Sequence, residues 1–153
     1  MEKIAEVEEA KALMTEGGTW SVMRWLREKK RARRTADKAN AALWAMQKAL
    51  KESWSDDLRL AYEDLAVEGD GGRPVRRTAV GRETMSFVKS VKEADDAAYQ
   101  AHLDAEETFD LADKRLSTSL AREGSRKAIR SWELYEEAIV KAEAGLSLSK
   151  TSK

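Results

Sequence analysis

TWSVMRWLREKKRARRTADKANAALWAMQKALKESWSDDLRLAYEDLAVE, residues 19 to 68, runs for about fifty positions without a proline or an internal glycine. Gly17-Gly18 precede it, and Gly69-Asp70-Gly71-Gly72-Arg73-Pro74 follows, where proline and a run of glycines stop a helix. Between these ends, apolar residues recur at Val22, Trp25, Ala32, Ala36, Ala39, Leu43, Met46, Leu50, Trp54, Leu58, Ala61 and Leu65. From Trp25 to Leu65 the stripe takes eleven steps over forty positions, with Lys29 the one polar interruption, a mean of ~3.6 and the period of one helix burying one face. At ~1.5 Å per residue an unbroken helix here reaches roughly 75 Å. Ser53-Trp54-Ser55-Asp56-Asp57 offers a second N-cap, yet the stripe continues in phase through it. The expectation is therefore one helix with at most a mild kink.

Working outward, residues 2 to 16 read as a short amphipathic helix, with Ile4, Val7, Ala10 and Met14 on one face and an acidic start. Beyond the glycine-rich turn, a helix is expected from about Arg82 to Ala121. Its stripe is Phe87, Val91, Ala94, Ala98, Ala101, Ala105, Phe109, Ala112, Leu116 and Leu120. Gly124-Ser125 is expected to break or bend the chain. A last helix then carries Ile129, Trp132, Tyr135, Ile139 and Ala142, and residues 147–153 form a frayed, flexible tail. The fold class is all-α: an elongated antiparallel helical hairpin with shorter terminal helices packed on it. It forms a three- to four-helix bundle, one domain over residues 1–146. If the turn centres near residues 71 and 72, residues 30 to 38 face 105 to 113.

Composition agrees with long helices. Of 153 residues, 37% are charged and 42% hydrophobic, and the single proline leaves little sign of strands. The 28 basic and 28 acidic residues cancel, so attraction to a polyanion has to be local. With no cysteine, disulfides and sulfur-based zinc sites are excluded. No run approaches the ~18 apolar residues of a membrane span. Met1-Glu2-Lys3-Ile4-Ala5-Glu6 lacks the features of a signal peptide. A cytoplasmic protein is the expectation.

Charge is segregated along the chain. Arg24, Arg27, Lys29, Lys30, Arg31, Arg33, Arg34 and Lys38 stand against only Glu28 and Asp37. From Glu93 to Asp113 there are eight acidic residues and no lysine or arginine. In a hairpin the two blocks meet and fix its register, each exposed pair contributing ~0–1 kcal/mol. The alternative is nucleic-acid or polyanion binding through Arg24, Arg27, Lys30, Arg31, Arg33, Arg34 and Lys38. The same segment, with Trp20 and Trp25 before its cations, also has the pattern of a helix lying on a membrane surface. Val22 and Trp25 belong to the core stripe, which favours burial instead.

Chemistry-bearing residues are sparse. His102 is the only histidine, and Glu106 four positions on makes a weak candidate metal pair. The chain resembles a ferritin-like bundle in outline, but the di-iron members use Glu-x-x-His on each of two helices. Here the tetrapeptide is Tyr99-Gln100-Ala101-His102, and no second histidine exists. The glycine-rich turn lacks the Gly-Lys-Ser/Thr of a phosphate loop. Among five tryptophans, Trp44 lies off the stripe between Asn40, Ala41, Gln47 and Lys48. It is either covered by a terminal helix or an interface anchor, with Trp20 as its companion. The functional expectation is a non-enzymatic interaction or assembly module needing no cofactor. It docks a protein partner or a second copy of itself, a two-fold dimer being the commonest form.

Overall fold

The computed structural model describes residues 19–69 and 81–151. The chain is all-α: among the described residues four helices follow one another and no strand occurs. They are α1 (Thr19–Glu52), α2 (Asp56–Gly69), α3 (Arg82–Arg115) and α4 (Thr118–Thr151). The helix expected over residues 2–16 and the turn at residues 70–74 lie outside the described residues.

The long helix expected from Thr19 to Glu68 is broken between Glu52 and Asp56. Local hydrogen bonding outweighs the in-phase stripe here. The Ser55 hydroxyl accepts from the Leu58 amide at 3.3 Å, an N-cap for α2, whose first turn carries Asp56 and Asp57. On the other side, the Ser53 hydroxyl donates to the Leu50 carbonyl at 2.6 Å. The Arg59 guanidinium reaches back to the Lys51 and Glu52 carbonyls, both at 3.3 Å. The last carbonyls of α1 are thus satisfied without further helix. Trp54 is buried within the corner itself, so the stripe keeps its phase although the helix stops.

The second correction concerns α3, which ends at Arg115 rather than Ala121. Leu116 takes a left-handed φ of 50°, and the Ser117 amide donates to the Ala112 carbonyl at 3.0 Å, the closure of a Schellman motif. Ser117 then caps α4, its hydroxyl accepting from the Leu120 amide at 3.1 Å. Gly124-Ser125, expected as the break or bend, lies inside α4. Glycine serves close approach there: a Cβ at Gly124 would meet the Phe109 ring at 2.9 Å. At its far end α4 continues to Thr151.

The chain divides into two compact units. The first takes residues up to Ala41 and Gln100–Ser131. Its core is Trp25, Ala32, Ala36, Ala39, Phe109, Ala112, Ala121 and Ala128. Alanine on three helical segments permits close axial approach. The second unit takes Ala42–Tyr99 and Trp132–Lys153. Its core is Leu43, Trp54, Ala61, Phe87, Val88, Val91, Ala94, Ala98, Tyr135 and Ile139.

Candidate functional site

In the first unit, part of the basic block is spent on the fold. Arg33 grips Glu106 with two nitrogens on two oxygens, each 2.9 Å, while its guanidinium stacks 4.8 Å from the Phe109 ring centre. Glu106 accordingly raises the Arg33 pKa, and both Glu106 oxygens are engaged. Lys29 pairs with Asp113 at 2.9 Å. These pairs run antiparallel and join the two segments that the sequence set opposite each other. From α4, Arg122 holds Glu28 at 3.2 Å, and Lys127 reaches Asp104 at 3.2 Å and the Thr108 hydroxyl at 2.9 Å. The Arg122 hydrogen bond is the main reason the Glu28 carboxyl lies below its usual range.

The remaining cations of the block, Arg24, Arg27, Lys30, Arg31, Arg34 and Lys38, are exposed. None of these six forms an ion pair among the described residues. His102 is half-buried, and no group of three or more His, Cys, Asp or Glu gathers for a metal among the described residues. No helix among the described residues is long and apolar enough to cross a membrane.

The second unit contains a polar knot that sequence reading missed. Asp95 is 9% exposed and accepts from Lys51 Nζ at 2.7 Å, Gln47 Nε2 at 3.1 Å and the Tyr62 hydroxyl at 2.5 Å. Lys51 also lies over the Tyr62 ring, 4.6 Å from its centre. Three donors thus compensate the cost of burying a carboxylate. The signal lay in position: Asp95 is four residues after Val91 and three before Ala98, beside the apolar stripe. Reading it only as part of an acidic run placed it on the surface.

Two phenols of this unit, the half-buried Tyr62 and the buried Tyr135, sit above the ordinary tyrosine range. Burial is the main cause for each, followed for Tyr62 by its hydrogen bond to Asp95 and for Tyr135 by the Asp95 charge. The sign follows directly. The unfolded phenol titrates near 10.0 and the folded one higher, so above pH 10.0 the unfolded chain releases protons that the folded one keeps. The phenol contribution to stability is complete below that pH and is lost as pH rises through the higher folded value. Urea midpoints should hold level up to about pH 10 and then fall, more gently in Tyr62→Phe. A profile flat to about pH 12 would contradict the assignment.

Around this knot the surface carries exposed aromatics. Trp44 is three positions before Gln47 on α1, and Tyr99 is four positions after Asp95 on α3. The Gln47–Asp95 bond therefore puts Trp44 and Tyr99 on continuing rows at one level of the helix pair. Trp44 is 55% exposed and Tyr99 62% exposed. Sequence reading named Trp44 but not Tyr99. The side chain of Trp20 lies outside the described residues. The chain matches no protein-family model, no curated protein and no solved structure.

Proposed function

We propose that the chain is a non-enzymatic helical interaction module that docks a protein partner or a second copy of itself through the Trp44 face of α1. The observation supporting this reading is the exposure of Trp44 and Tyr99, each about one helical turn from a member of the hydrogen-bonded Asp95 knot. Large aromatic rings supply contact area at little conformational cost and are common anchors of interfaces. In the self-associating form, a two-fold dimer working in the cytoplasm is the simplest assembly.

Sedimentation of the full chain across a concentration series tests this reading. Trp44→Ser should weaken association about thirtyfold, the effect of losing a ~2 kcal/mol anchor. A chain that stays monomeric, together with unchanged pull-downs by the variant, would end the proposal. A second reading has its own support in the six exposed cations from Arg24 to Lys38. It is binding of a nucleic acid or other polyanion, and retention on heparin that weakens steeply with salt is its expected mark.

A further inference from the structure

We infer that the basic face of α1 and an acidic face of α4 are the two halves of one contact between copies of this chain. This goes beyond the proposed function, which places self-association at Trp44, and names a second pair of faces that does not include that ring. On α1, Leu26, Lys30, Arg34 and Lys38 follow one another at steps of four along one helical face and line a single groove. Leu26 is 49% exposed. The three cations have no partner among the described residues. On α4, a second groove is lined by Trp132, Glu133, Glu136, Glu137 and Val140, with no cation in it. Val140 is 59% exposed, and Glu136 and Glu137 form no ion pair among the described residues.

Each face thus joins an exposed aliphatic residue to charges mainly of one sign, and the two signs are opposite; the one acidic residue lining the α1 groove, Asp37, is paired with Arg33 at 3.8 Å. Such pairing steers encounter and sets register, while the apolar residues exclude water from the contact. Because the whole chain carries no net charge, long-range repulsion between copies does not oppose it. A second copy is the occupant that fits: the complement of each face is present on every molecule. The contact is of unlike surfaces, so it extends head to tail unless two such contacts close a pair.

The test uses the full chain in sedimentation experiments at low and high salt. The wild type should associate with rising concentration, at least tenfold more weakly once salt shortens the Debye length from ~14 Å to ~4 Å. Lys30→Glu/Arg34→Glu and Glu136→Lys/Glu137→Lys, all at exposed positions, should each lose association at least tenfold while keeping wild-type helicity. Mixed one to one, the two variants should associate again, since each restores the charge pattern missing in the other. A wild type that stays monomeric at every concentration overturns the inference, including one that remains monomeric while binding heparin. Association unchanged in both charge variants overturns it as well, and leaves the Trp44 reading standing if Trp44→Ser then dissociates the assembly.

Discussion

Replacing Asp95 by alanine is expected to lower the stability of the second unit by about 3 kcal/mol. Three groups lose their acceptor together: Lys51, Gln47 and the Tyr62 hydroxyl. The full cost of stripping one member from a buried ion pair is ~3–5 kcal/mol. The Lys51 side chain is 34% exposed, however, and recovers some water, which brings the figure toward the lower end. Asp95→Asn keeps one oxygen, which can serve Tyr62 and Lys51 at the Oδ2 position, and gives up the charge and the acceptor facing Gln47, so its loss should be smaller than that of alanine. Urea unfolding followed by circular dichroism measures both variants. A loss under about 0.5 kcal/mol for alanine would mean that the knot contributes nothing beyond what water supplies.

Trp54→Ala should cost more, about 3–5 kcal/mol. The ring is buried at the corner between α1 and α2, edge-on to Phe87 with centres 6.0 Å apart, and 5.9 Å from Tyr62. Truncation removes an aromatic from the core and withdraws a wall from the Tyr62 side of the knot. Trp54→Phe keeps most of the contact and should cost less than half as much. Faster hydrogen exchange in the α2 amides of Trp54→Ala would locate the damage. A variant whose urea midpoint matches the wild type would show that the corner does not depend on this ring.

How far the sequence could be read is visible at these residues. The stripe from Val22 to Ala61 named most of the α1 and α2 core, because burial on one face imposes a period that any contiguous window reveals. The facing of 30–38 with 105–113 was legible too, from two opposite charge runs and a turn: Lys29 meets Asp113 close to the expected register, while Arg33 meets Glu106 about one helical turn away from it. Both corners were obscured. Trp54 stays in phase whether or not the helix stops beside it, so periodicity is blind to the break. At Leu116 a leucine occupies the left-handed position where glycine is the usual sign, while the glycine at 124 makes room for a ring. Tyr99 escaped notice because side-chain exposure follows from the packing of several helices, which no single stripe reports.

The two corners also bear on the order in which the chain folds. Every bond that builds them joins residues within eight positions of each other, as in Ser55 with Leu58, Arg59 with Lys51, and Ser117 with Leu120. The Arg33–Glu106 clamp spans 73 positions. Closing so wide a loop has to be offset by contacts made only afterwards, whereas a capped helix end forms from its own neighbourhood. The hypothesis is that corners come early and the clamp late, so Arg33→Ala should speed unfolding and leave the refolding rate nearly untouched. Stopped-flow kinetics in urea would show it, and a slowed refolding limb would reverse that order.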